Sequence, residues 1–265
     1  MLDSFGREID YLRVSVTDRC NLRCVYCMPA EGVKLMRHED TISFERITLV
    51  AGTAAKLGFR KVRLTGGEPL VRKGLPELVS ILSGIEGIEV LAMTTNGTLL
   101  APLAEELKGR GLGSVNVSLD TLDSARYAAL TRGGRLGDAL AGIEAAKAAG
   151  LSVKLNVVAL EDSTEEDFDA LRSFASREGI GIQFIQRYRL CEEKRDGEER
   201  ERPPTCGTCS RLRLLSDGTL RPCLHSNIAI AIDWDDVEGS IRASVAAKPE
   251  RGHVCTDLEV GQIGG

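Results

Sequence analysis

Hydrophobic and polar residues alternate in two different rhythms along the first two thirds of the chain. Short runs in which every second residue is apolar predict strands, and longer stretches with apolar residues at helical spacing predict helices. The predicted strands are 12–17, 61–65, 90–95, 114–120, 152–158 and 181–186. The predicted helices between them are 44–57, 74–85, 99–109, 136–149 and 165–177. Strands that alternate with helices in this way predict an α/β fold with a parallel sheet.

The clearest strands each have one apolar face and one polar face. In the first, Leu12, Val14 and Val16 alternate with polar residues. A doubly wound sheet, covered by helices on both sides, would instead show continuous apolar runs. We therefore expect a partial (β/α)6 TIM-like barrel with its helices outside and a polar interior. In such barrels the chemistry lies at the carboxyl ends of the strands.

Several cationic side chains fall on the polar faces of the predicted strands. They are Arg13, Lys61, Arg63 and Lys154. Charges that face the interior of a barrel are costly unless they are solvated or paired. One interpretation is a wet cavity in which they pair with Asp120 and Glu68. The other is a binding site for an anion such as a phosphate group.

The alternation of strands and helices stops after residue 187. The segment 191–204, CEEKRDGEERERPP, is highly charged and ends in two prolines, which indicates a solvated linker. The remainder, 205–265, contains a group of cysteines and one clear helical stretch at 238–247. We therefore divide the chain into a barrel region at 1–190, the linker, and a small C-terminal extension that binds a metal centre.

Composition narrows the function. The net charge of −5, from 34 basic and 39 acidic residues, does not suggest binding to nucleic acid. No apolar run reaches the length of a membrane span, and the first residues do not resemble a signal peptide, so we expect a cytoplasmic protein without a membrane partner. Disulfides are rare in that compartment. Because six of the eight cysteines fall in two tight groups, metal binding is the better explanation for them.

The first group of cysteines is CNLRCVYC at residues 20–27, in a loop just after the first strand. The spacing allows Cys20, Cys24 and Cys27 to hold an iron–sulfur cube from one loop. Three ligands leave one iron open, whereas a structural zinc ion usually takes four protein ligands. Zinc with a distant fourth ligand is the alternative.

Other short motifs end the later strands. The segment TGGEP, residues 65–69, follows the second strand. Its glycines allow the backbone to approach a ligand closely, and Glu68 can accept a hydrogen bond from an ammonium group. Taken alone, this segment is also typical of an ordinary turn from a strand to a helix. TTNG at residues 94–97 and SLD at residues 118–120 occupy the corresponding ends of the next two strands.

The second group consists of Cys206, Cys209 and Cys223. Again three thiolates are present without an obvious fourth, which fits either an iron–sulfur cluster or a zinc knuckle. Arg211 and Arg213 lie between the second and third of these cysteines.

Together, these motifs resemble the radical S-adenosylmethionine (SAM) superfamily and, within it, the GTP 3′,8-cyclase family of molybdenum-cofactor biosynthesis. The resemblance covers about residues 3–190 and 204–265. It is carried by LRVSVTDRCNLRCVYCMP, KVRLTGGEPLVR, MTTNGTLL, VNVSLDTLD, VKLNVV, CGTCSRLRLLSDGTLRPCL and the terminal QIGG.

The resemblance implies two [4Fe–4S] clusters and SAM as cofactors. The open iron of the first cluster would bind SAM, which then yields a 5′-deoxyadenosyl radical, and the open iron of the second would bind the guanine of GTP. In that family the radical takes the ribose 3′ hydrogen, and C3′ then joins guanine C8. The implied SAM contacts are Tyr26, Gly66, Gly67, Glu68, Asn96 and Ser118. The implied substrate contacts are Arg13, Lys61, Arg63, Thr94, Lys154, Arg211, Arg213, Gly264 and Gly265. The implied partners are an external reductant of the flavodoxin or ferredoxin type and a cyclic pyranopterin synthase that acts on the product.

Three features depart from the family pattern. The segment before Cys206 is some tens of residues shorter. The last strand carries Gln183 and Gln186 in place of arginine and glutamate, although Arg187 could replace the lost cation. Cys191 and Cys255 are extra, and either could give the second cluster a fourth thiolate. A fully ligated cluster would favour a paralogue that acts on a peptide or another nucleotide, and a zinc-binding module without catalytic activity is a third interpretation.

Overall fold

The computed structural model describes residues 1–187, 190–191 and 206–257. The predicted linker lies almost wholly outside the described residues, as do Gly264 and Gly265. The strands of the barrel region are β1 (Tyr11–Ser15), β2 (Lys61–Thr65), β3 (Val90–Thr95), β4 (Ser114–Ser118), β5 (Ser152–Ala159) and β6 (Gly181–Gln186). Those of the C-terminal region are β7 (Arg211–Leu214), β8 (Thr219–Arg221) and β9 (Ile230–Ala231).

Most of the helices begin and end close to their predicted positions. They are α1 (Phe44–Lys56), α2 (Leu75–Ser83), α3 (Ala104–Gly109), α4 (Ser124–Thr131), α5 (Leu136–Ala148), α6 (Glu165–Glu178) and α7 (Val237–Ala246). Local capping explains several starts. Ser43 accepts a hydrogen bond from the backbone N–H of Arg46 at the start of α1, and Thr164 and Asp167 form a reciprocal capping box at the start of α6. Within the described ranges, no helix is both long and apolar enough to cross a membrane.

The strands that the structure describes form one sheet in the order β6–β5–β4–β3–β2–β1–β7–β8–β9. Strands β1 to β6 are neighbours in chain order and all parallel. A doubly wound sheet would reverse direction at a switch point, and this order does not. The predicted (β/α)6 partial TIM-like barrel is therefore confirmed.

The two faces of the sheet differ as the alternation predicts. Leu12, Val14, Val115 and Val117 are fully buried and belong to the hydrophobic core between sheet and helices. This burial removes apolar surface from water, which is the main force that holds the helices on the sheet. The opposite face carries the polar residues and forms the interior of the barrel.

The C-terminal region does not stand apart from the barrel. Strand β7 pairs in parallel with β1, opposite Tyr11 to Val14, and β8 and β9 continue the sheet in antiparallel fashion. The division into regions stays a prediction, but strands from both sides of the predicted linker share one sheet. The arginines of β7 thereby lie beside those of β1.

Two local features differ from the sequence predictions. The predicted helix at 99–109 is a 3-10 turn at Ala101–Leu103 followed by the short helix α3. Proline at position 102 lacks the N–H that a continuous helix needs. Helix α4 was absent from the sequence predictions because its eight residues, SARYAALT, are too few to show a clear helical period.

Candidate active site

A cavity opens at the carboxyl ends of the parallel strands, where the fold predicts the chemistry. Its walls come from the cysteine loop after β1, the glycine turn after β2 and the ends of β3 to β6. The lining includes Cys20, Cys24, Tyr26, Cys27, Gly66, Gly67, Thr94, Thr95, Asn96, Ser118, Asn156, Gln186 and Arg187. Most of the residues that sequence analysis assigned to SAM therefore surround one space.

Backbone hydrogen bonds hold the cysteine loop against the end of α4. The N–H groups of Arg23 and Val25 donate to the carbonyls of Thr131 and Leu130, at 3.2 and 2.9 Å. Arg132 follows α4 in a left-handed conformation, and its guanidinium donates to the carbonyls of Arg23 and Met28 at 2.9 and 3.0 Å. The end of helix α4 and Arg132 thus hold the loop that carries the three thiols in place.

Tyr26 joins this loop to the far side of the barrel. Its hydroxyl donates to Asp120 at 2.5 Å, and Asp120 also accepts from the backbone N–H of Val158 at 2.7 Å. Burial raises the pKa of Asp120 to about 6, although both hydrogen bonds act in the opposite direction. The loop is therefore fixed on two sides, by α4 and by the strand ends at β4 and β5.

The two glycines after β2 are required by the cysteine loop. A Cβ atom at Gly66 would clash with the carbonyl oxygen of Thr17, and one at Gly67 with the carbonyl oxygen of Arg19. Backbone hydrogen bonds run between the same segments, from Gly67 to Thr17 at 2.9 Å and from Glu68 to Arg19 at 2.8 Å. The turn and the segment before Cys20 therefore pack backbone against backbone.

Glu68 lies behind the cavity wall, not in it. The carboxylate is fully buried and accepts from the backbone N–H groups of Leu70 at 3.0 Å and Asn96 at 2.7 Å. It also accepts from the hydroxyl of Thr95 at 2.8 Å. Glu68 thus positions the end of β3, where Asn96 faces the cavity. Burial raises the pKa of Glu68 to about 7 in spite of these three hydrogen bonds.

This shift predicts how pH affects the stability of the cluster-free protein. Because the pKa of Glu68 is about 7 in the fold against an ordinary value of 4.5, its stabilising contribution is complete below pH 4.5. The contribution is lost as the pH rises through about 7. We expect the free energy of unfolding of wild type to fall across this window relative to Glu68→Gln, by on the order of 3 kcal/mol. Urea titrations at several pH values measure it, with exposed Glu105→Gln as control; parallel pH profiles for wild type and Glu68→Gln would contradict the assignment.

Three arginines on neighbouring strands form a row across the polar face of the sheet, called the arginine row below. Arg13 on β1 lies in register with Arg63 on β2 and with Arg213 on β7. Residues paired in register on parallel strands point to the same face. Arg13 and Arg213 are 9% and 5% exposed, so the row is largely removed from water.

The arginines near this row act on one another electrostatically. Burial lowers the pKa of Arg13 to about 9; Tyr11 opposes the shift, and Arg213, Arg211 and Arg63 add to it. The predicted pairing of the interior cations with Asp120 and Glu68 is wrong, because both carboxylates are engaged by the hydrogen bonds described above. A cluster of buried guanidiniums held together in this way favours an anionic ligand.

The remaining cations predicted for the substrate lie at different places. The side chain of Lys61 is 47% exposed and forms an ion pair with Asp10 at 3.0 Å. Lys154 donates to the side chain of Gln183 at 3.4 Å. Arg63 donates to the hydroxyl of Tyr11 at 2.5 Å and contacts Thr94, which lines the cavity, at 3.4 Å. Of these three cations, Arg63 is the one that joins the arginine row to the cavity.

The second group of cysteines forms a separate pocket beside β7. Cys206 and Cys209 lie just before β7 and Cys223 just after β8. The same pocket is lined by Arg7, Arg211, Arg213, His225 and Lys248. Burial acts to raise the pKa of Cys209, but Lys248, Arg213 and Arg211 outweigh it, so the pKa lies below its ordinary value. The cations of this pocket therefore favour the thiolate form of Cys209.

The two extra cysteines, Cys191 and Cys255, have other surroundings. Cys255 is buried beside Leu190 and Leu215, and its thiol donates to the carboxylate of Asp257 at 3.0 Å. Burial raises the pKa of Cys255 to about 11. Cys191 is exposed. Neither thiol is among the described residues that line the second pocket.

Sequence analysis missed three residues of these sites. Tyr11 lies among the arginines, and Arg7 and Lys248 line the second pocket. Arg7 donates to the carbonyl of Cys206 at 2.8 Å and pairs with Asp3 at 2.6 Å. No local pattern marks these residues, because each reaches its site through contacts with distant parts of the chain.

Comparison with known proteins agrees with this geometry. The model of the radical SAM superfamily matches residues 14–175, which is more than half of the chain. The solved structure of native anSMEcpe with bound AdoMet has the same fold, with a TM-score of 0.67, at 15% identity over 91% of this chain and 81% of its own. Streptococcus suis SuiB bound to S-adenosylmethionine gives a TM-score of 0.56, at 17% identity over 75% of this chain and 44% of its own. Fold, site and family match together define a radical SAM enzyme, which uses SAM and an iron–sulfur cluster.

Curated relatives identify the family within that class. The GTP 3′,8-cyclase of Pelotomaculum thermopropionicum is 39% identical over the whole of both chains. That of Moorella thermoacetica is 40% identical over 92% of this chain and 88% of its own. The chain belongs to the GTP 3′,8-cyclase family. The interpretation as a zinc-binding module without catalytic activity is therefore wrong.

Proposed function

We propose that this enzyme converts GTP to (8S)-3′,8-cyclo-7,8-dihydroguanosine 5′-triphosphate in molybdopterin biosynthesis. The observation that carries the proposal is the arginine row, because Arg63 contacts the wall of the first cavity and Arg213 lines the second pocket. A substrate with a polyanionic tail would be held by this row between two cysteine sites. GTP has such a tail, together with a ribose and a base for the two sites.

The residues of the first cavity fit a cluster with SAM. Three thiols from one loop face the same space, and two glycines let that loop approach β2. When bound, the cluster and SAM supply a carbon-centred radical that takes a hydrogen atom from the substrate. The chain's part is to hold SAM against Asn96 and Ser118, and to keep Tyr26 and the cysteine loop in place through Asp120.

The second pocket fits a second [4Fe–4S] cluster with one open iron. Cys206, Cys209 and Cys223 supply three thiolates, and the thiol of Cys255 is directed to Asp257. An open iron beside Arg211 and Arg213 leaves a coordination position for the guanine base. Two clusters per chain, not one cluster and a zinc ion, follow from this proposal.

The proposal also assigns partners. The first cluster must receive electrons from outside, so we propose an external reductant of the flavodoxin or ferredoxin type. The cyclised nucleotide would pass to a cyclic pyranopterin synthase.

Product analysis tests the activity. The reconstituted protein is incubated without oxygen with SAM, dithionite and GTP. We expect 5′-deoxyadenosine together with a cyclised nucleotide in equal amounts. If 5′-deoxyadenosine forms and GTP is recovered unchanged, GTP is not the substrate.

A paralogue with another substrate is the second candidate. It is favoured by Gln183 and Gln186 in β6, and by length: the match to the Pelotomaculum enzyme spans 325 positions against 265 residues in this chain. The shorter chain leaves part of the relative without a counterpart, and a more open barrel would admit a peptide or a different nucleotide. Arg187 lines the cavity and supplies a cation at the end of β6, which supports the first candidate.

Removing one arginine of the row separates substrate binding from SAM chemistry. We expect Arg63→Ala to weaken GTP binding by about 10-fold or more, since a charge-assisted contact is worth about 1.5–3 kcal/mol. SAM cleavage without substrate should continue at the wild-type rate, because Arg63 does not line the SAM cavity. Equilibrium binding of GTP and formation of 5′-deoxyadenosine are the two measurements. Arg60→Ala, which removes an exposed arginine paired with Glu89, is the control; equal GTP affinity in Arg63→Ala and Arg60→Ala would remove this arginine from the substrate site.

A further inference from the structure

Lys248 is a buried charge that no sequence motif explains. It lies two residues after the end of α7 and is only 3% exposed. Lysine is almost never fully buried unless its ammonium group has partners. The contacts of its ammonium group therefore indicate its role.

The ammonium group of Lys248 donates to two backbone carbonyls beside the second pocket. The Nζ atom donates to the carbonyl oxygen of Arg211 at 2.8 Å and to that of Pro222 at 2.7 Å. Lys248 also lines that pocket together with Cys209 and Cys223. Both hydrogen bonds therefore hold backbone next to the cysteines.

The two carbonyl partners of Lys248 lie next to two of the cysteines in the sequence. Arg211 lies two residues after Cys209, and Pro222 directly precedes Cys223. The two cysteines come from segments on opposite sides of the β7–β8 hairpin. One ammonium group therefore fixes the backbone next to both of them.

Lys248 also places a positive charge in the lining of the pocket that holds Cys206, Cys209 and Cys223. The other cations that line the pocket are engaged differently. Arg7 pairs with Asp3, whereas Arg211 and Arg213 belong to the barrel face. Among the described residues that line the pocket, Lys248 is the lysine whose charge compensates the negative charge of the thiolates.

We propose that Lys248 is a positioning residue of the second iron–sulfur site, which fixes Cys209 relative to Cys223 and raises the reduction potential of their cluster. The inference rests on the proposed function, because the second cluster is part of that proposal. Hydrogen bonds to cluster sulfurs and nearby positive charge are two of the factors that set such potentials. A cation close to a cluster stabilises its more negative, reduced state.

Two substitutions separate the effect of Lys248 on the cysteine positions from its effect on the reduction potential. Lys248→Gln keeps a hydrogen-bond donor but removes the charge, so we expect the cluster to remain and its potential to become more negative. Lys248→Met removes both, and we expect affinity for the cluster to fall by about 10- to 100-fold, as when other outer partners of metal ligands are lost. A purely structural lysine would not change the potential in the Lys248→Gln variant.

The experiment uses full-length protein in which Cys20, Cys24 and Cys27 are replaced by alanine, so that bound iron reports the second site alone. Iron per chain and the midpoint potential, from a redox titration followed by electron paramagnetic resonance, are measured for this parent and both variants. Lys56→Met, at an exposed position in α1, is the matched control.

The outcomes are distinct. If the parent binds no iron–sulfur cluster, the two-cluster proposal fails and the role of Lys248 fails with it. If the parent holds a cluster but its potential is the same in Lys248→Gln, the role of Lys248 alone is overturned. Should Lys248→Met not fold, as judged by circular dichroism, the potential of Lys248→Gln still decides.

Discussion

Replacing Cys24 by alanine is expected to abolish SAM cleavage, whereas replacing Cys223 by alanine is expected to abolish cyclisation and leave SAM cleavage in place. The reason is the separation of the two cysteine groups. Cys24 lines the cavity at the strand ends, and Cys223 lines the pocket beside β7. Each variant should lose one cluster, which halves the iron per chain. Assays of 5′-deoxyadenosine and of the cyclised nucleotide, with iron analysis, measure the result.

The extra cysteines provide matched controls for this experiment. Cys191→Ser and Cys255→Ser should each retain the iron content of wild type and form both products, because neither residue is among the described residues that line the second pocket. Loss of iron in Cys255→Ser would make Cys255 a ligand of the second cluster. The paralogue with a fully ligated cluster would then be the better assignment, and the open coordination position for guanine would be lost.

A single methyl group at Gly67 is expected to remove SAM binding. A Cβ atom there would overlap the carbonyl oxygen of Arg19, which is backbone and cannot turn aside as a flexible side chain can. The cysteine loop would have to move away from β2, and the three thiols would move with it. We expect Gly67→Ala to lose most of its first cluster and to bind SAM at least about 100-fold more weakly, as a metal site does when its support is lost.

Gly52→Ala is the control, because that position lies inside α1 with nothing within 4 Å of the added Cβ atom. Alanine there should stabilise the protein by roughly 0.5–1 kcal/mol, since glycine is a poor helix former. Calorimetry for SAM binding and thermal unfolding compare the two variants. Normal cluster content and SAM affinity in Gly67→Ala would contradict the close contact between loop and turn.

The contrast between the two cysteine groups shows how far sequence reasoning reaches. The first group, the glycine turn and the strand ends follow one another at the ends of predicted β/α units. Parallel strands bring such ends together by geometry alone, so the cavity could be predicted from the order of the motifs. The second group could be recognised as a ligand set, but its position relative to the barrel could not, because no pattern showed that β7 would pair with β1.

The roles of individual side chains divide in the same way. The sequence placed Glu68 at the SAM site, yet its carboxylate is turned into the wall, where it satisfies the backbone of β3. Likewise, four interior cations were predicted from alternation, but only register decided which of them form a row. Lys61 lies at the amino end of β2 and pairs with Asp10. Arg63 lies two residues further along the same strand, on the same face, and joins that row.

By itself, then, the sequence determined the α/β class, the polar interior, the two sets of three cysteines and the family. These depend on periodicity and on ligand spacing, which are local properties of the chain. Tertiary structure alone decided that Arg13, Arg63 and Arg213 stand side by side and that Lys248 reaches two cysteine segments. The physical reason is that these contacts depend on which strands pair and in which register, and the pairs β1–β2 and β1–β7 join segments far apart in the sequence.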